Sequence, residues 1–583
     1  MPIATAESIH LGARSGKRPN KPNAARRTWR VFKRRRYGWN VAISTHHYVD
    51  GEGNTIKLAY IKPSDLFKYL LTHHPAVLVG GVSTQPERSA HLKAFWSAFE
   101  LTQGDHEVYN HHRDNLSNVI PIGWHGDEGR GKRRGNTAVL MVERVFVVRA
   151  AKRCKDCHPP ASLKARFAQC NHRLPQHVRE LLKLQHTTMK GHCMLHKFPL
   201  FIIPSSVHHT HPGAMRELMN LVALDLRQLF YDGLDVHNRN YCFATIAAKG
   251  DLKWFKKIAL ERCWDNQGFV VNRQCCHECE AGQNGLPYED VSTDDPIWAP
   301  TRYMTRPWTS LPVMHPIPFV TAAPEKQYKR DPFHLTKVGI YRDLSGSCVC
   351  WLAQKGYFGG GDLPSKLNAG HGLFTLYCRS IGKSPALRSF SKSLFTYPRV
   401  DSYPWANTKG SDTTLLLFWM TVQCTGFANA PLRSCDVAIL NLMVLTCKAA
   451  LEVHRCMNRH TLWLDRGCAL EQVAQLKRFI LGYVALARAT LDDSYNGWGI
   501  KPKLHLCKHW ELDLKEALQR GDELIWNYNA HNCEPNEDMV GRVSRLSRRL
   551  DSRRVGERVL QCCMLKSCLV HRELIKKEIA TGG

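Results

Sequence analysis

The run Tyr241-Cys-Phe-Ala-Thr-Ile-Ala-Ala248 is apolar almost throughout, and Gly250 and Asp251 follow it. A short apolar run that ends in a turn predicts a buried strand. The residues from Leu252 to about Arg262 predict a helix, so strand and helix alternate here. This alternation indicates an α/β or α+β architecture.

A second pair of strands is predicted upstream. Val119-Ile-Pro-Ile-Gly-Trp-His125 is apolar, residues 126–135 form a charged, glycine-rich turn, and residues 138–148 are again β-rich. The economical interpretation is strand, turn, strand. We predict that the strands near 119–125, 138–148 and 241–248 lie in one sheet.

Charge indicates the kind of partner. The chain has 81 Lys and Arg against 51 Asp and Glu, a net charge of +30, which favours a polyanion, and nucleic acid before membrane. Residues 1–40 are predicted to be a basic disordered tail, because they hold eleven Lys and Arg and one acid, Glu7. Such a tail is either a solvated segment or an arm that directs nuclear import or binds DNA phosphates. The candidate DNA-binding residues are Arg34, Arg35, Arg36, Arg542, Arg545, Arg548 and Arg549.

No membrane span is predicted. The most apolar segment, 435–453, contains Asp436, Asn441 and Lys448, and is interpreted as a buried helix. The opening segment is polar and basic, so the 22 cysteines are expected in a reducing compartment, free or bound to metal.

Asp127 and Asp251 both follow predicted strands, where carboxylates from neighbouring strands can meet. Carboxylates that converge bind Mg²⁺ or Mn²⁺. Two such ions activate an attacking oxygen and stabilise the leaving oxygen of a phosphodiester. Taken alone, an aspartate after a strand is more often a turn former or a helix N-cap than a metal ligand.

Several motifs occur in a fixed order. They are Gly250-Asp251-Leu-Lys-Trp254, Cys276-His-Glu-Cys279, Asp331-Pro-Phe-His-Leu335 with Gly339, Lys501-Pro-Lys-Leu-His505 with His509, and Glu537-Asp-Met-Val-Gly541. The series resembles DDE/D transposases of the CACTA, Plavaka and KDZ type, over roughly residues 119–560. Phe333 stands where that group usually has Met.

The resemblance implies an RNase H-like catalytic core with a small helical N-terminal region and a large helical insertion. The expected division is a tail at 1–40, a helical region at 41–115, the core at 116–345 with a Cys/His-rich insertion at about 150–235, a helical insertion at 346–525 and a basic helical segment at 526–583. It also implies that Asp127, Asp251 and Glu537 hold a two-metal Mg²⁺ or Mn²⁺ site.

Glu537 is expected in the first turn of a helix after the turn Asn532-Cys-Glu-Pro-Asn536. Gly541 lies one helical turn later and is expected to let that helix pack closely against a sheet. Simple capping of the helix by Glu537 is the competing explanation. Asp331, Glu534 and Asp538 are the other candidates for the third acid.

Two Cys/His sets are candidate zinc sites. Cys276 and Cys279 have the spacing of half a site, and the sequence leaves the other ligands open among Cys263, His334, His505 and His509, or the thiols are free. A second set is Cys154, Cys157, Cys170 and His172.

The expected function is a nuclear, transposase-like DNA nuclease and strand transferase that acts on transposon-end DNA as a homo-oligomer. Two alternatives remain at this point. One is a domesticated or inactive DNA-binding protein of the same ancestry. The other is a zinc-stabilised interaction or RNA-binding protein.

Overall fold

The computed structural model describes residues 38–131, 135–146, 174–183, 185, 193–264, 274–399, 402–459, 462–491, 495–548, 550 and 554–581. Within them the protein is mixed α/β. Buried side chains form one core around a sheet and a second core within a group of long helices.

A mixed sheet of seven strands has the order β1-β2-β5-β4-β3-β7-β6. The strands are β1 Ser44–Val49, β2 Thr55–Tyr60, β3 Val119–Arg130, β4 Asn136–Arg144, β5 Lys197–Pro204, β6 Leu234–Val236 and β7 Arg239–Lys249. β3, β4 and β5 pair antiparallel, whereas β7 pairs parallel to β3. The strands predicted near 119–125, 138–148 and 241–248 therefore do lie in one sheet.

Eight helices accompany the sheet in the part of the chain described before residue 264. They are α1 Pro63–His73, α2 Pro75–Leu78, α3 Gln85–Gln103, α4 Val108–His111, α5 Gln176–Leu182, α6 Ser205–His208, α7 Pro212–Tyr231 and α8 Leu252–Ile258. The parallel pairing of β3 with β7 requires a crossover, and α7, which packs on β7, lies in that connection.

The second half of the chain is mainly helical, as expected for 346–525. Its helices are α9 Tyr341–Gln354, α10 Leu363–Ser380, α11 Gly410–Asn429, α12 Asp436–Arg459, α13 Arg466–Leu491, α14 Pro502–Gln519, α15 Glu534–Ser547 and α16 Val555–Thr581. β8 Trp463–Asp465 and β9 Leu524–Trp526 form a separate two-stranded sheet. Shorter helical turns lie at Arg113–Asn118, Cys193–Leu195, Ala299–Thr301, Pro324–Gln327, Phe333–Ile340 and Tyr528–His531.

One described helix segment, Asp436–Asn458, is long and apolar enough to cross a membrane by length and composition. However, 56% of its apolar window is buried inside the protein. Its helix, α12, packs against α11 and α13. Core helices of soluble proteins pass the same test, so this helix is weak support for a membrane span.

Three expectations about local structure and organisation were wrong. The region 41–115 begins with the β1–β2 hairpin, because β-branched and aromatic residues flank the turn at Asp50-Gly51. The supposed insertion at 150–235 contains β5 and α7, which belong to the core: residues 198–203 are an apolar run that pairs with β4. The helix after Asp251 ends at Ile258, short of Arg262.

Candidate active site and metal centre

Asp127 lies near the end of β3, in the middle of the sheet. Its backbone pairs with Val139 of β4, and the residue is 9% exposed. Two residues earlier, His125 pairs with Lys249 of β7. Since these strands run parallel, Asp127 and Asp251 lie at the same end of the two strands.

Two glycines and Trp254 bring this edge together. A Cβ built on Gly126 would lie 2.1 Å from the Trp254 ring, and one on Gly250 would lie 2.8 Å from it. Only glycine therefore leaves room for the indole between the two strand ends. Asp251 caps α8 by accepting a 2.6 Å hydrogen bond from the Trp254 backbone N–H, which fixes its carboxylate.

Glu537 arrives on the first turn of α15. This helix packs on β3, and the small residue at the contact is on the strand: a Cβ on Gly129 would lie 2.8 Å from Val540 and 2.0 Å from Ser544 Oγ. The expectation for Gly541 was wrong, because the nearest atom to a Cβ there is the Arg545 guanidinium at 3.6 Å. Gly541 faces away from the sheet.

The acids strongly influence one another. Burial, and then the charges of Glu537 and Asp251, raise the pKa of Asp127 well above its ordinary value. Burial and the neighbouring acids also raise the pKa of Glu537, although the hydrogen bond from the protonated Asp127 carboxyl opposes this. Clustered carboxylates that hold protons in this way are expected where a cation is to be bound.

The other candidates for the third acid have other partners. Glu534 pairs with Lys337 at 2.8 Å, and Asp538 pairs with Arg542 at 2.9 Å. Asp331 is 4% exposed and accepts 2.9 Å hydrogen bonds from the N–H groups of Phe333 and Cys533. Asp331 therefore anchors the segment before α15.

His334 joins Asp331 to the acidic cluster. Its Nδ1 bonds to Asp331, and its Nε2 lies 3.5 Å from Glu537 Oε1. Burial opposes protonation of this ring, but the hydrogen bond and charge of Asp331, followed by the charges of Asp251 and Asp127, raise the pKa of His334. The sequence offered His334 only as a zinc ligand, so its contact with the acids was missed.

The acids are spread more widely than a single-ion cage. Among the described residues, two groups have ligand atoms that all lie within 4.8 Å of one another. One is Cys276, Cys279, His505 and His509, and the other is Glu452, Cys456 and Glu471. Asp127, Asp251 and Glu537 form no such group.

A buried Cys/His cluster could hold a metal ion. Its members are Cys276, Cys279, His505 and His509. The Cys279 sulfur is 3.3 Å from Nε2 of each histidine, and the two Nε2 atoms are 3.0 Å apart. Because the histidines lie one turn apart on α14, the cluster ties this helix to the 276–279 segment. Of the ligands left open by the sequence, Cys263 instead contacts the Leu252 carbonyl.

The surroundings suit metal ligands. Burial lowers the pKa of His509 to about 4, so its ring is neutral. Burial alone would raise the pKa of the Cys276 thiol, but the Cys279 hydrogen bond and His509 hold it well below its ordinary value. A Glu278 carboxylate oxygen lies 3.7 Å from His509 Nδ1, close enough for its charge to act on the ring but too far for a hydrogen bond.

A buried group of three charged residues lies beside the acidic cluster, and it was not predicted from the sequence. Glu143 on β4 pairs with Lys197 on β5 and, at 2.6 Å, with Lys249 on β7. Asn536, next to Glu537, donates a 2.9 Å hydrogen bond to Glu143. Charged residues inside otherwise apolar strands were the available signal.

Some predicted residues lie outside the described part of the chain. They are Cys154, Cys157, Cys170, His172, Arg34, Arg35, Arg36 and Arg549. Of the other predicted DNA-binding residues, Arg545 and Arg548 are exposed, and Arg542 is half-buried. The chain matches no protein-family model and no curated protein sequence.

Proposed function

We propose that the chain is a transposase-like, metal-dependent DNA nuclease and strand transferase that acts on transposon-end DNA in the nucleus, as a homo-oligomer. The observation that carries the proposal is the convergence of Asp127, Asp251 and Glu537. These acids come from the middle of the sheet, the end of a parallel strand and a helix from the far end of the chain.

The strand order supports the RNase H-like part of the proposal. Three antiparallel strands, β3 to β5, are followed by α7 and by β7 parallel to β3. Tyr328 then adds a single parallel bridge beside Ala248, just before Asp331. These directions are consistent with the RNase H-like sheet that the resemblance implies, with Asp127 on its first strand and Asp251 on a central strand.

Asp127, Asp251 and Glu537 do not form one tight ligand group, so we propose a pair of ions rather than a single one. Two ions about 3.5–4 Å apart need ligands that are spread over a longer distance than the ligands of one ion. When bound, they would supply the charge that activates an attacking hydroxyl and neutralises the leaving oxygen.

The chain's own residues hold the three acids in place. Asp251 is fixed by its cap, and Asp127 by the strand pairing of β3. Glu537 is fixed by the docking of α15 on β3 and by Asn536 beside it. His334 can hold a proton beside Glu537 and Asp331.

We also propose that Cys276, Cys279, His505 and His509 hold a structural Zn²⁺. Two thiolates and two imidazoles are a ligand set that zinc takes in closed, four-coordinate sites. All four side chains are buried, which leaves no obvious open position for substrate. The ion would fasten α14 to the segment that precedes Asp331.

The function is tested by nicking of supercoiled plasmid DNA. We expect nicking with Mg²⁺ or Mn²⁺, none with EDTA, and none from Asp251→Asn. The matched control Asp235→Asn, at an exposed residue of β6, should nick normally. Salt-sensitive DNA binding without nicking would instead support the DNA-binding alternative, and the absence of both would support an interaction or RNA-binding protein.

A further inference from the structure

A cavity of about 450 Å³ lies away from the acids, between α14, α3 and the segments around residues 300 and 329. Its volume is in the range of small-molecule sites. Aromatic rings line it, from Phe99, Tyr303, Trp526 and Tyr528. Such rings provide faces on which a planar ring can stack.

Most cations that line this cavity are already neutralised. Arg302 pairs with Asp513 and Glu516, and Lys326 pairs with Asp105 at 2.8 Å. Arg330 pairs with Glu278, at 3.1 Å, and with Asp513. These ion pairs hold the cavity walls together and compensate the charges of these three cations.

Lys329 is the exception. Within the described residues no carboxylate lies at ion-pair distance from its ammonium, which instead lies 5.1 Å from the centre of the Phe319 ring. Burial lowers the pKa of Lys329 to about 8, although the charges of Glu278 and Asp513 favour its charged form, so this cation is only partly compensated. An anionic ligand would correct this.

Two further donors on the cavity wall lack acceptors. The Nη1 of Arg330 is buried without a hydrogen-bond partner. His531 Nε2 accepts a 3.0 Å hydrogen bond from Trp526, so the proton of the neutral ring is on Nδ1, which is also buried without a partner. Buried donors without acceptors are costly, and phosphate oxygens are strong acceptors.

We infer that this cavity is a binding site for a nucleoside phosphate, with the phosphate on Lys329 and the base against the aromatic wall. The inference does not rest on the proposed nuclease activity, because binding can be measured without metal or cleavage. The nucleotide has two sources that share this chemistry: a free nucleotide, or a nucleotide of a DNA strand.

Isothermal titration of the full chain with AMP, adenosine and inorganic phosphate tests the site. We expect saturable AMP binding, at least about tenfold tighter than binding of either part, because the two halves of the site act together. Lys329→Gln should weaken AMP binding at least about tenfold, the effect of one charged hydrogen bond. Lys383→Gln, which removes the same charge from an exposed loop, should leave AMP binding unchanged.

A second variant, Thr102→Trp, adds bulk to the cavity wall and should also abolish AMP binding. Displacement of AMP by a short single-stranded oligonucleotide would identify the DNA strand as the source, and failure to displace it would identify a free nucleotide. The proposal is overturned if AMP does not bind the wild type, if Lys329→Gln binds AMP normally, or if phosphate binds as tightly as AMP, which would indicate an anion site only.

Discussion

Asp127 lies in an environment unlike that of an ordinary, solvent-exposed aspartate. It is 9% exposed, and Glu537 and Asp251 surround it with like charge, which raises its pKa. A cation removes this repulsion, so metal binding should displace a proton from the Asp127–Glu537 pair. Metal affinity is therefore expected to rise with pH.

Replacing Asp127 with Asn should stabilise the protein in buffer free of divalent ions. A carboxyl with a raised folded-state pKa contributes stability at low pH and loses it as pH rises through that pKa, because ionisation costs more in the folded state. At neutral pH we expect a gain of about 1–3 kcal/mol. Urea unfolding between pH 5 and pH 8 measures this, and the same pH dependence in wild type and variant would contradict it.

The Cys/His cluster of Cys276, Cys279, His505 and His509 can be tested by replacing single ligands. Cys276→Ser or Cys279→Ser should purify without the near-stoichiometric zinc expected of the wild type, because each removes one of four ligands. Cys275→Ser is the matched control: this neighbouring thiol contacts the Ala281 carbonyl at 3.6 Å and lies outside the cluster. Elemental analysis decides, and equal zinc in all three variants would exclude the cluster as the site.

At the level of elements, some strands of the main sheet were predicted from the sequence and others were not. The apolar runs at 119–125 and 241–248 were sufficient to place β3 and β7. The β1–β2 hairpin was missed because residues 44–60 are polar and half-exposed at the sheet edge, so their period-2 signal is weak. β5 was missed because it follows a long Cys/His-rich segment.

The docking of α15 depends on how the helix is rotated, which the sequence did not predict. A glycine was expected at the contact between helix and sheet, and the sequence contains one on each partner, Gly541 and Gly129. Which of them faces the contact depends on how the helix is rotated, which is fixed by packing. The sequence likewise left four candidates for the remaining ligands of the Cys/His cluster. Only the fold shows that His505 and His509 are the two that lie beside Cys276 and Cys279.

Gly129→Ala should loosen α15. Its methyl group would collide with Val540 and Ser544, and crowding of this kind costs about 1–3 kcal/mol. Gly541→Ala should be neutral or stabilise by up to about 1 kcal/mol, because alanine is the better helix former and the site is open. Thermal unfolding compares the two, and equal melting temperatures would mean that α15 does not pack on β3 as described.

For the whole molecule, the net charge of +30 gives a prediction about DNA affinity. If about six or more phosphates are neutralised, affinity should fall about 10³-fold or more between about 50 and about 200 mM salt. The double variant Arg545→Gln, Arg548→Gln should lower the slope of log K against log salt by about two, one for each phosphate contact.

Arg488→Gln, at the exposed end of α13, provides the control for this experiment and should leave the slope unchanged. Fluorescence anisotropy with a labelled duplex measures each slope. A flat salt response of the wild type would show that these charges do not contact DNA.

We expect Asp127, Asp251 and Glu537 to bind divalent metal ions together, a claim that Mn²⁺ titration followed by electron paramagnetic resonance can check. Glu537→Gln should lose Mn²⁺ binding, because it removes an anionic ligand from the cluster. Glu534→Gln, on the same helical turn but paired with Lys337, should bind Mn²⁺ like the wild type. Equal Mn²⁺ binding by the wild type and Glu537→Gln, or none by the wild type, would contradict the claim.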